Sequence, residues 1–312
     1  MSSSRRLLTV GLVVAVVLVG LLVAVVLIGR GSPVARSSPT PSASRAGAPG
    51  ATGPKRVWLI VMENRSYGQV IGEGDAPFFN NFATLYGLAT DYHGVARPSQ
   101  PNYIALVSGS THGVSDDGVH DLDGETLFDQ LEASGHSWRV FAENVPPECF
   151  RGAAARNGPD GDGVYARKHE PAISFVSISG NAQRCARIGN LSGFSPDAAD
   201  FNLIVPNLCH DMHDCSTRAG DIWLAHFVPR IMGSDAFRQG GLLLITFDEA
   251  ASRDESQHTV LLFAGPEIAP GTRVTERADH YALLRTIQAK FGLGCLGESC
   301  NREPINELLP GR

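Results

Sequence analysis

Val57-Trp58-Leu59-Ile60-Val61-Met62-Glu63-Asn64 and Leu242-Leu243-Leu244-Ile245-Thr246-Phe247-Asp248-Glu249 are the two stretches on which the reading of this chain turns. Each is a short apolar run that stops on acidic or amide side chains. Runs of this length suit a buried strand and fall short of a typical helix. A carboxylate at the end of a buried strand costs free energy unless something compensates its charge. In open α/β sheets the carboxyl ends of the strands are where ligands and metals collect. The two ends together predict an oxygen-rich cation site assembled from distant parts of the chain.

Outward from these runs, Pro77 to Tyr86 reads as a helix and Ala89-Thr90-Asp91-Tyr92 as an extended segment. Arg97-Pro98-Ser99-Gln100-Pro101-Asn102 is a proline-punctuated turn leading into the helix-compatible run Tyr103-Ile104-Ala105-Leu106-Val107. Glu125 to Ala133 and Thr217 to Met232 have helical spacing, and His280 to Phe291 is helical with a Gly stop. Trp138 to Ala142, Phe201 to Val205 and His258 to Ala264 read as strands. Residues 150–163 look like a loop, rich in Gly, Asp, Asn and Pro without periodicity. Strands alternating with helices predict an α/β protein: a three-layer α/β/α sandwich around a mainly parallel sheet.

The chain divides into three parts. Within residues 1–30, Leu7 to Ile28 is uncharged and long enough to cross a bilayer, with Arg5 and Arg6 before it. It reads as a signal peptide or as a retained transmembrane signal anchor. Its length, and the absence of an A-x-A-like site immediately after it, favour the anchor. Either reading makes the rest extracytoplasmic: held at the membrane by the N-terminal helix, or secreted if that helix is cleaved. Residues 31–54 are rich in Ser, Pro, Ala and Gly and read as a disordered linker. Residues 55–312 are long enough for one domain with a sizeable core. The 26 basic against 32 acidic side chains give a net charge of −6, which excludes the basic face of a nucleic-acid binder. Oligomeric state is left open.

The six cysteines, Cys149, Cys185, Cys209, Cys215, Cys295 and Cys300, form an even set beyond an export signal, which points to disulfides. No C-x₂-C pair suggests zinc. Proximity favours Cys209–Cys215 and Cys295–Cys300, leaving Cys149–Cys185.

Ser99 sits on a turn that opens a helix, where orphan N–H groups and the dipole suit a phosphate and a developing alkoxide. Serine there is also a preferred helix cap, and local sequence does not separate the two roles. Glu63, Asn64, Asp248 and Glu249 are hard oxygen donors. With the Ser99 hydroxyl they make a five-ligand set for one divalent ion: Mg, Ca or Mn by ligand type, with Zn also accommodated by carboxylates. His210-Asp211-Met212-His213-Asp214 packs two His and two Asp into one short segment, and Arg167-Lys168-His169 is a basic tripeptide able to meet a phosphate. A histidine near its ordinary pKa can protonate a leaving group. P-loop and G-x-S-x-G motifs are absent.

Val61-Met62-Glu63-Asn64-Arg65-Ser66, Pro98-Ser99-Gln100-Pro101-Asn102-Tyr103, Asp211-Met212-His213-Asp214 and Phe247-Asp248-Glu249 resemble, in this order, the bacterial phosphoesterase family, which groups acid phosphatases with phospholipases C in the alkaline phosphatase superfamily. Tyr165-Ala166-Arg167-Lys168-His169 and His280-Tyr281 are similar to secreted acid phosphatases acting on phosphatidylinositol 3-phosphate. The resemblance implies an alkaline-phosphatase-like fold and hydrolysis of phosphate monoesters, a phosphoinositide among the candidate substrates. Phospholipase C-like phosphodiester cleavage is the alternative. A surface-anchored binding protein with a degenerate site is less favoured, because every proposed ligand is present. It implies a metal at Glu63, Asn64, Asp248 and Glu249, Ser99 as phosphoryl acceptor and His213 as a catalytic histidine. His169 is a second candidate acid, and Asn102, Arg97, Lys168 and His280 are candidate substrate-binding residues. Arg97 and His210 depart from the family pattern, which carries His and Asn at those positions. Asp248-Glu249 replaces the superfamily's common Asp-His pair and favours one metal over two.

Overall fold

Two hydrophobic layers, one on each face of a single sheet, account for the apolar runs. The structure, a computed structural model, describes residues 56–310. The expected membrane segment and the whole of the expected linker lie outside them. Among the described residues no helix is long and apolar enough to cross a membrane.

The strands are β1 (Val57–Met62), β2 (Gly87–His93), β3 (Trp138–Ala142), β4 (Ala154–Gly158), β5 (Gly161–Ala166), β6 (Ile188–Gly189), β7 (Phe201–Val205), β8 (Leu242–Phe247), β9 (His258–Ala264), β10 (Arg273–Val274) and β11 (Ala278–Asp279). Nine of them form one sheet in the order β10-β2-β9-β8-β1-β7-β3-β6, with β11 also on β2. Only β9 runs antiparallel to its neighbours β2 and β8. The mainly parallel sheet is as expected.

Alternation along β1 explains the layering. Val57, Leu59 and Val61 face one core, while Trp58, Ile60 and Met62 face the other. The first core is closed by the helices Ser99–Ser108, Leu127–Ala133 and His280–Phe291. The second is closed by Pro77–Leu85 and Thr217–Met232. A sheet buried on both faces needs continuous apolar strands, which is why neither run alternates with polar residues. Each fully buried aliphatic side chain contributes roughly 1.5–3 kcal/mol. Local signals set several helix ends. Thr126 and Asp129 form a capping box, the Asp279 side chain caps the last helix, and Gly292 stops that helix at φ 76°.

All three expected disulfides are present, Cys149–Cys185, Cys209–Cys215 and Cys295–Cys300. Residues 150–163, expected as a loop, instead contribute β4 and the start of β5, an antiparallel hairpin. The hairpin stands largely in solvent, so no apolar alternation marks it.

Candidate active site

Register brings the two acidic ends together. β1 and β8 pair in parallel from Val57 opposite Leu242 to Met62 opposite Phe247, so Glu63 and Asp248 leave the sheet side by side. By alternation both carboxylates turn toward the layer that contains the Ser99 helix.

Glu63 is the hub of the site. Its Oε2 accepts hydrogen bonds from Ser99 Oγ at 3.0 Å and from Asn64 Nδ2 at 2.7 Å. Its Oε1 lies 3.1 Å from His169 Nε2. The contact is close enough for an ion pair but poorly aligned for a hydrogen bond, and both atoms lack a hydrogen-bond partner. Asn64 takes the left-handed backbone conformation, φ 54°, which asparagine tolerates better than most residues. That turn also aims its N–H at Asp248 Oδ1, 3.0 Å away. Ser99 is the first residue of its helix and does not cap it, so the capping role is absent.

Asp211, which was not among the expected site residues, is fully buried behind His169 and lies 3.0 Å from its Nδ1. Tyr103 stacks on the His169 ring, with centroids 5.1 Å apart. His213 stands nearer solvent. Its Nδ1 lies 2.7 Å from Asp214 and its Nε2 3.2 Å from Lys168 Nζ. Lys168 also donates to Asp117 at 2.9 Å. Asp117 had no sequence signal, and Asp211 had only its place in the dense 210–214 segment.

Three expected substrate contacts have other partners. Asn102 is fully buried, and its Oδ1 accepts from the Val95 and Ala96 N–H groups. Its Nδ2 donates to the Ala96 and Pro98 carbonyls. Asn102 therefore shapes the segment leading into Ser99. Asn102→Ala is expected to cost about 1–3 kcal/mol in chemical denaturation, by orphaning two N–H groups. A raised KM with unchanged stability would restore the substrate-contact reading. Arg97 donates to Glu249 at 2.9 Å and to the carbonyls of Ala250, Ala251 and Asp254. Glu249 is thus held by a guanidinium, unlike Glu63 and Asp248. His280 is buried, 2.7 Å from the Tyr92 hydroxyl at Nδ1 and in contact with the Asp248 carbonyl through Nε2. It fixes the backbone of Asp248. A Cβ at Gly94 would sit 2.9 Å from that same carbonyl, so this approach requires glycine.

The charges are poorly compensated. Burial, then Asp248 and Asp211, raise the Glu63 pKa well above the carboxylate range. Burial pushes Asp248 up to about 6 and Glu170 up to about 7. Burial and then Asp248 raise Glu249 to about 7. Burial, followed by Lys168 and His213, lowers His169 well below the ordinary histidine value. Burial would lower Lys168, but Asp117 and Glu63 more than offset it. An acid with a raised folded pKa keeps a proton that the unfolded chain has lost, so stability falls as pH climbs between the two values. Unfolded carboxyls titrate near pH 4. Buried His169 and His280, whose values are lowered, act the other way below about pH 6.5. The raised carboxyls outnumber them, so in chelator Tm is expected to fall as pH rises from about 4 to about 7, read by thermal scans. A flat or rising Tm across that window would contradict the raised values.

A cation fits this site. Glu63 Oε1, Asp248 Oδ2 and His169 Nε2 are buried without hydrogen-bond partners. Clustered carboxylates of raised pKa are the environment that a divalent ion relieves. Two donor sets share Glu63: the oxygen set with Asn64, Ser99 and Asp248, and Glu63-His169-His213, whose ligand atoms lie within 4.8 Å of one another.

The fold is that of the alkaline phosphatase superfamily. A member from Vibrio parahaemolyticus superposes with a TM-score of 0.50 at 10% identity, covering 77% of this chain and 67% of that one. The Phosphoesterase family model matches residues 72–294, and the chain belongs to that family. It is 29% identical to an acid phosphatase of Aspergillus fumigatus over 78% of this chain and 56% of that protein, so it spans little more than half that relative's length. It is 30% identical to a phosphatidylinositol-3-phosphatase of Mycobacterium tuberculosis over 81% of this chain and 82% of that protein.

Proposed function

We propose that this chain is an exported phosphomonoesterase that passes the phosphoryl group to Ser99 and then to water. The observation that carries the reading is the 3.0 Å contact of Ser99 Oγ with Glu63 Oε2, inside a buried acid cluster faced by Lys168 and His213. A divalent ion held by Glu63, Asn64, Ser99 and Asp248, or by Glu63 with His169 and His213, would supply Lewis-acid activation and charge neutralisation. Ser99 Oγ attacks phosphorus as its proton passes toward Glu63 Oε2. The Oγ–P bond forms while the P–O bond to the leaving group breaks. Lys168 and the amino end of the Ser99 helix offset charge on the equatorial oxygens; such preorganised electrostatics are usually the largest contribution. His213, half-exposed and next to Lys168, donates the proton to the departing oxygen. His169 is the weaker candidate acid, because burial lowers its pKa well below the ordinary histidine value. Water then attacks the phosphoserine, and the proton transfers run in reverse.

Three disulfides, together with the apolar segment at residues 7–28, support an extracytoplasmic location, reached by an anchor or by secretion. The similarity to the mycobacterial enzyme makes a phosphoinositide a candidate substrate. Assay of matched mono- and diesters with added Mg, Ca, Mn and Zn tests the reading. Monoesters are expected to turn over at least tenfold faster, and a preference for diesters would transfer the chain to phospholipase C-like chemistry.

A further inference from the structure

Asp117 lies in the segment between the Ser99–Ser108 and Leu127–Ala133 helices, and it returns to the amino end of the first. Its Oδ1 accepts from the Gln100 N–H at 3.0 Å, one residue beyond Ser99. Its Oδ2 accepts from Lys168 Nζ at 2.9 Å. One carboxylate therefore ties the end of the Ser99 helix to the ammonium that faces His213. We propose that Asp117 is a positioning residue that holds Lys168 at the amino end of the Ser99 helix, so that the ammonium and the Ser99 hydroxyl form one binding surface for a phosphoryl group. The proposal rests on the phosphoesterase reading above and deepens it.

The physical need is specific. A lysine stem is flexible, and its ammonium accepts any nearby carboxylate. Asp214 and Glu63 are both within electrostatic reach of the site. Released from Asp117, Lys168 would swing among them and would no longer present its charge beside Ser99. A carboxylate at the amino end of a helix is itself favourable there. Arg167, the neighbouring cation, grips the same loop independently, through Asp121 Oδ1 and the His120 carbonyl, both at 2.8 Å. Leu122 adds a backbone tie to Ser174 at 2.7 Å. The loop therefore keeps its anchors when Asp117 is replaced.

Asp117→Asn isolates the effect. Its amide oxygen can still accept from Gln100, but its NH₂ group has no lone pair for the ammonium. Inorganic phosphate titrated calorimetrically into the full chain reads Lys168 placement whether or not an ester is turned over. Asp117→Asn is expected to weaken phosphate binding and raise KM for an aryl phosphate by about tenfold, with a smaller change in kcat. Asp117→Glu should recover part of the loss. Lys168→Ala should show a similar loss, and adding Asp117→Asn to it should change little, because the first residue acts through the second. Unchanged or tighter phosphate binding in Asp117→Asn, or fully additive losses in the double variant, would overturn the proposal. Wild-type turnover that Ser99→Ala abolishes shows the underlying reading to stand, and the Asp117 result then bears on Asp117 alone.

Discussion

Replacing Ser99 by alanine is expected to lower phosphate release from a monoester by on the order of 10⁴-fold or more, the scale of losing a nucleophile. The variant removes the hydroxyl of a residue that is 2% exposed, together with its hydrogen bond to Glu63. Helix formation does not depend on it, because Ser99 makes no capping bond. Folding should therefore survive, with Tm within a few degrees of wild type at about 1 kcal/mol per lost hydrogen bond. Steady-state assay together with a thermal scan checks both halves. Near-normal turnover from a folded Ser99→Ala protein would remove Ser99 from the chemistry.

Glu63→Gln is expected to separate activity from stability. Glu63 touches Ser99, Asn64 and His169 at once, so loss of its charge should empty the cation site. Turnover should fall about 10³-fold or more, the scale of several kcal/mol of lost charge stabilisation. Metal content measured by mass spectrometry should fall with it. In chelator the sign reverses. Glu63 is buried beside Asp248 and Asp211, which raise its pKa after burial itself. A neutral isostere removes that penalty, so the metal-free variant should melt above the metal-free wild type near neutral pH. A metal-free variant that melts below wild type would mean that Glu63 is already compensated and the cluster calls for no cation.

Much of the fold could be read from local pattern. The bounds of β1, β8 and β9 and of the helices Thr217–Met232 and His280–Phe291 follow from apolar runs and stop signals a few residues apart. Cys209–Cys215 and Cys295–Cys300 follow from short separations. The β4–β5 hairpin did not, because a strand pair standing in water carries no burial pattern. Side-chain partners were harder still. Asn102, Arg97 and His280 have the chemistry of ligand contacts, yet each hydrogen-bonds to backbone around the site. A polar side chain takes whichever donors and acceptors the fold brings within reach, and chain spacing carries no record of that choice.

The sequence by itself determined that two strands end in carboxylates and that a serine opens a helix, because periodicity and turn chemistry act over a few residues. Only the tertiary structure decided how those groups are shared: Ser99 and Asn64 on one oxygen of Glu63, His169 facing the other, and Asp211 and Asp117 as supports. Parallel register aligns Glu63 with Asp248, and the packing of a helix across the sheet brings Ser99 to them. Those are distances through space between residues far apart in the chain, fixed by the way the whole core closes.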